Sequence, residues 1–213
     1  PAIGAALAQE LDMVLLGWTV LAFALGTGVA SHCYDLLAGD PLGLGISRRQ
    51  LHVAAALSLG AAVGIGLWQI AAGKVSPWLL LAIPVGAVLA VGYGLEWPGL
   101  HGHWQFAAWW GVFPLLVGYL AQSTSWDWSL LPASALAFLS ASAQRVLSAR
   151  ARYLRRRVAQ ARVLLQERGH HVAASWETLD KGWLLAAEEK ALMLWSLALP
   201  LAALALVMEA VWP

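Results

Sequence analysis

The chain has 213 residues, of which 60% are apolar and only 12% charged, with 13 Lys and Arg against 12 Asp and Glu for a net charge of +1. A soluble domain carries about 25% charged residues, so this composition excludes an ordinary soluble enzyme, a disordered chain and a disulfide-stapled secreted scaffold. The single cysteine, Cys33, has no internal partner.

A helix crossing a bilayer core needs about 20 mainly apolar residues. Six stretches meet or approach this: 11–30, 51–73, 77–95, 104–122, 128–147 and 191–208. None has Asp, Glu, Lys or Arg in its middle, and none shows the two-residue alternation of a barrel strand, so all six are predicted helices. The first follows Glu10 and Asp12 and lacks a basic leader, unlike a signal peptide. On the second, Ala56, Gly60 and Gly64 recur every four residues and predict a helix–helix contact. Pro84, Pro114, Pro132 and Pro200 fall within spans and predict kinks. The fifth span is expected to continue as one helix to Gly169, because Leu147, Ala151, Leu154, Val158, Ala161 and Leu165 form a stripe with steps of four and three. A short amphipathic helix should follow, capped by Ser175, with Trp176, Leu179 and Trp183 on one side. The expected fold is all-α: a polytopic membrane bundle of about six helices, divided into a core (1–147), a basic cytoplasmic segment (148–190) and a final span (191–213).

Eight of the basic residues lie between Arg145 and Arg168. Together with Arg48, Arg49, Lys181 and Lys190 they occupy the odd-numbered loops, leaving Lys74 for the other side. The positive-inside rule therefore puts loops 31–50, 96–103 and 145–190 in the cytoplasm and the N-terminus opposite. Many of the 13 tryptophans sit at span ends, as an interfacial belt requires. The pair Trp109–Trp110 is inside a span; with Tyr119 it offers an aromatic wall for an isoprenoid, quinone or pigment.

The first cytoplasmic loop reads Ser31-His32-Cys33-Tyr34-Asp35 through Gly39-Asp40, then Ser47-Arg48-Arg49-Gln50. The second reads Tyr93-Gly94-Leu95-Glu96-Trp97-Pro98-Gly99-Leu100-His101-Gly102. The following span holds Gly118-Tyr119-Leu120-Ala121-Gln122-Ser123. In their order these resemble the UbiA-type intramembrane prenyltransferases, in particular the menaquinone branch, over roughly residues 11–150. The resemblance implies a UbiA-like bundle lacking the family's first helix and its last two. It also implies a prenyl diphosphate held by Mg²⁺ between two acidic motifs, since hard Mg²⁺ takes carboxylate and phosphate oxygens and neutralises departing pyrophosphate. On that alignment Asp35, Asp40 and His32 stand in the first motif. In the second, Arg145 matches, while Val146 and Arg150 replace the aspartates. A cationic side chain repels Mg²⁺, so a two-ion site is not rebuilt and no catalytic residue is assigned.

Two readings of function follow. The first is a divergent UbiA-like protein without intact transferase activity, an accessory subunit of a larger membrane complex that binds an isoprenoid, quinone or pigment. The second is an active prenyltransferase acting on an aromatic quinone precursor, with Mg²⁺ as its cofactor. Asp35 and Asp40 are either loop carboxylates paired with Arg48 or Arg49, or a residual metal or diphosphate site. Arg48, Arg49, Arg145 and Arg150 are candidate diphosphate or anionic-lipid contacts. Apart from the family-implied Mg²⁺ no metal is assigned: His101 and His103 read as solvated loop residues, and His32 and His52 as span-end residues with an option on a pigment. The helix carrying Leu147, Leu154, Val158 and Leu165 either lies on anionic headgroups or docks a membrane partner. Nucleic acid is discounted.

Overall fold

The computed structural model describes residues 1–39, 44–165 and 175–212. The described chain is mostly helical. Helices α1 (Ala2–Ala6), α2 (Met13–Phe23), α3 (Ser31–Ala38), α4 (Arg48–Ala71), α5 (Leu79–Gly94), α6 (His103–Phe106), α7 (Phe113–Gln122), α8 (Leu130–Arg157) and α9 (Lys181–Val211) are joined by strands β1 (Ala161–Leu165) and β2 (Ser175–Leu179) between α8 and α9. Two π-helical segments, Ala24–Ala30 and Ala107–Val112, link α2 to α3 and α6 to α7 without a break. Among the described residues four helices are long and apolar enough to cross a membrane: Met13–Ala38, Arg48–Ala71, Leu130–Arg157 and Lys181–Val211. The chain is an integral membrane protein. The other two predicted spans differ in form. Helix α5 has 16 residues and extends about 24 Å, short of a hydrocarbon core, and 103–122 is a continuous helix with a π segment that is not among the four.

The chain forms two compact units, Pro1–Ser142 with Leu201–Pro213, and Ala143–Pro200. In the first, Asp12 caps α2 by accepting from the Val14 and Leu15 amides. The Gln122 side chain accepts from the Asp12 amide (2.9 Å) and donates to the Asp12 carbonyl (3.1 Å), which ties the end of α7 to the start of α2. Ser47 and Gln50 form a capping box at the start of α4. The core has two clusters: Ala5, Leu16 and Val207, and Leu115, Tyr119 and Leu130.

The expected contact face on α4 is not where helices meet. A Cβ added to Gly60 or Gly64 finds nothing within 4 Å. Four-residue spacing identifies a flat face without saying what covers it. Close approaches lie at Gly4 and Gly118, where α1 and α7 meet backbone to backbone, at Gly94, whose Cβ would lie 2.6 Å from Tyr34 Cβ and 2.9 Å from the Ser31 carbonyl, and at Gly111, 2.6 Å from the Ala137 carbonyl. Pro84 and Pro200 lie inside α5 and α9. Pro132 instead falls in the first turn of α8, where a missing amide costs nothing, and Pro114 lies just past the π segment Ala107–Val112.

In the second unit the fold departs from all-α. Helix α8 stops at Arg157, and residues 161–165 form a strand antiparallel to 175–179, with Ala161 opposite Leu179 and Leu165 opposite Ser175. The heptad spacing runs on through Ala161 and Leu165, but Val163, Trp176 and Thr178 favour the extended backbone, and inter-strand hydrogen bonds replace the expected helix. Leu165 is therefore no part of the helical stripe, and Ser175 starts a strand rather than capping a helix. The predicted stop at Gly169 lies outside the described residues. Ala151 and Leu185 are buried, and Leu147, Leu154 and Val158 half-buried. Two ion pairs clasp α8 to α9: Arg150 Nε–Glu188 Oε1 and Arg155 Nη2–Glu189 Oε1, both 2.7 Å. Lys181 adds a bond to the Arg155 carbonyl at 2.6 Å.

Candidate functional site

Two features of the first unit collect chemistry-bearing side chains. One lies around α3. Ser31 is buried and donates to the Ala90 carbonyl (3.2 Å), and the glycine at position 94 lets α5 approach α3 closely. This brings Asp35 within electrostatic reach of His101 and Glu96 as well as of His32, whose Nδ1 is 3.7 Å from Asp35 Oδ2. His101 is not a free loop residue: its Nδ1 lies 3.1 Å from the Tyr93 carbonyl and its ring stacks on Tyr93 at 4.5 Å. Trp110 meets Tyr93 edge-on at 5.4 Å. Glu96, which follows, adopts a positive φ of 55°, in a region non-glycine residues seldom enter. Asp40 lies outside the described residues. Among those described, no three His, Cys, Asp or Glu side chains converge to hold a metal ion.

Two of the candidate arginines, Arg48 and Arg150, serve to hold the fold. Arg48 donates to the Leu37 carbonyl (3.3 Å), an orphan acceptor at the end of α3. Arg49 is exposed. Arg150 is committed to Glu188. Arg145 lines a groove in the second unit with Arg152, Tyr153, Arg156 and Arg157, on the side of α8 opposite the one that carries the ion pairs. His52 Nδ1 lies 2.7 Å from the Arg48 carbonyl one turn back, and His103 opens α6 against Trp104.

The second feature is an apolar cleft of about 780 Å³ including its open mouth. It runs between α2 with its π segment, α4, α5 and α7. Phe23 and Phe113, 6.3 Å apart, form its aromatic side. Three polar side chains line it: Thr19, Thr27 and Gln69. The threonine hydroxyls are spent on their own helix, donating to Leu15 (2.9 Å) and Phe23 (2.7 Å). Among the described residues no Asp, Glu, Lys, Arg or His lines the cleft.

The expected wall is therefore elsewhere. Tyr119 is a core residue, 2% exposed, packed with Leu115 and Leu130. Trp110 belongs to the Tyr93 cluster. Trp109 lies in the π segment with its indole N–H buried and without a hydrogen bond. No protein-family model, curated protein or solved structure matches this chain. Its function must be read from its own residues. Sequence reasoning missed Gln69, Phe23 and Phe113. The available signal was a lone amide near the end of an apolar helix, where an unshielded polar group is costly.

Proposed function

We propose that the chain is a divergent UbiA-like membrane protein that binds the hydrocarbon part of an isoprenoid or quinone in this cleft, and that it serves a larger membrane complex as an accessory subunit rather than as a transferase. The observation that carries this reading is the cleft itself: long, apolar, open at the side, and free of charged lining. A hydrocarbon chain fits such a site, since each buried CH₂ contributes about 0.8 kcal/mol, whereas a diphosphate finds no cation there. The transferase alternative needs carboxylates. The replacement of the second motif's aspartates by Val146 and Arg150, with Arg150 spent on Glu188, speaks against it. Mg²⁺-dependent prenyl transfer by the purified chain would restore that alternative.

Filling the cleft tests the binding reading. Ala62→Phe places a ring into it from α4. Organic extraction of the purified variant, read by mass spectrometry, should recover at least about fivefold less co-purifying isoprenoid lipid than the wild type, because several buried methylenes are displaced. Equal recovery would sink the reading.

The basic residues support a cytoplasmic location for loops 31–50, 96–103 and 145–190. In a Cys33→Ser background, single cysteines introduced at Ser47 and Gln160 should label from the same side of sealed vesicles. Labelling from opposite sides would refute the topology.

A further inference from the structure

We infer that Gln69 is the polar anchor of the cleft, and that the ligand it selects is a lipid with a neutral carbonyl-bearing head, a quinone rather than an alcohol phosphate or a bare hydrocarbon. This rests on the cleft-binding reading above and adds the chemistry of the head. Gln69 is 6% exposed, yet its side chain lines the cleft. Its backbone carbonyl accepts from the Lys74 amide (3.0 Å), but among the described residues its carboxamide has no hydrogen-bond partner. A carboxamide offers two donors and an acceptor, and leaving it unpaired in an apolar setting is costly. The two threonine hydroxyls of the cleft donate within their own helices and so have no proton for the amide oxygen. The amide is not among the fully enclosed unpaired groups; it faces the open cleft, where a ligand group can meet it. The uncharged lining rejects an ionic head, which would stay unpaired. A carbonyl oxygen accepts from the amide N–H without bringing a charge or a surplus donor.

The aromatic surroundings supply the readout. Trp18 and Trp68 sit edge to face at 5.3 Å, each next in sequence to a lining residue, Thr19 and Gln69. A quinone ring held by Gln69 lies close enough to quench them.

The experiment is a fluorescence titration of the purified full chain in phosphatidylcholine nanodiscs, with decylubiquinone as probe and decylbenzene as the carbonyl-free competitor. In the wild type, decylubiquinone should bind about tenfold more tightly than decylbenzene, the worth of one good hydrogen bond. Gln69→Met, nearly isosteric and apolar, should abolish that ratio while leaving decylbenzene affinity unchanged. Trp18→Phe with Trp68→Phe should remove most of the quenching. If Ala62→Phe abolishes binding but Gln69→Met binds decylubiquinone as the wild type does, the anchor is wrong and the cleft stands. Should Ala62→Phe leave binding intact, the cleft reading falls and the anchor with it. Equal affinities of the wild type for the two probes overturn the anchor even where Gln69→Met does not fold.

Discussion

Arg150→Ala should destabilise the second unit by about 2 kcal/mol. Glu188 is almost fully buried, with Oε1 held by Arg150 at 2.7 Å and Oε2 without a partner among the described residues. Removing the guanidinium strands a carboxylate that the surroundings do not solvate. Loss of one partner of a fully buried pair costs about 3–5 kcal/mol. Here the Arg150 side chain is 69% exposed, and water screening lowers the figure. Glu188→Gln on top of Arg150→Ala should recover most of the loss, since no charge is then buried. The check is trypsin susceptibility at Arg155–Arg157 in detergent, where α8 ends. Cleavage should accelerate in the single variant and slow again in the double. Equal rates in wild type and Arg150→Ala would mean the pair is ornamental, as many exposed pairs are.

Gly94→Leu should cost more, at least about 3 kcal/mol. Its Cβ would meet backbone and Cβ atoms of α3 rather than the end of a flexible side chain, so the helices must part. The Ser31 bond to Ala90 would break with them. Cys33, half-buried on α3, should then react faster with maleimide, and thermal unfolding in detergent should shift down. Gly60→Leu is the matched control on α4, because nothing lies within 4 Å of its Cβ. It should leave both readouts near wild type. Similar losses in the two variants would point to helix propensity or insertion rather than to the close crossing of α3 and α5.

The membrane character and the strongest spans were legible because hydrophobic length alone decides them. The capping of α4 by Ser47 was readable from the motif itself. The strand pair 161–165 and 175–179 was not. A heptad of Leu, Ala and Val is compatible with a helix, and only pairing with a distant segment selects the strand. The cleft was also hidden. Its walls come from four separate helices, and no local pattern marks Phe23 and Phe113 as facing the same space. Tyr119 and Gln122 show the converse. A motif drew attention to both, yet one fills the core and the other clamps the backbone at Asp12.

The π segment at Ala24–Ala30 has a rotary consequence. A widened turn accommodates one residue more than the α-helical ladder, so every side chain after it is turned by about 100° relative to an uninterrupted helix. The direction of His32 and Asp35 is therefore set by a length defect upstream, not by their own neighbours. Deleting Gly28, around whose Cβ there is open space, would let the segment relax to an ordinary helix. Asp35 would then keep its direction toward His101 and Glu96, because the residue removed is the one the widened turn had absorbed. One codon lost within this segment leaves the charged face aimed as before; the same loss in the α-helical turns of Met13–Phe23 would rotate it by about 100°.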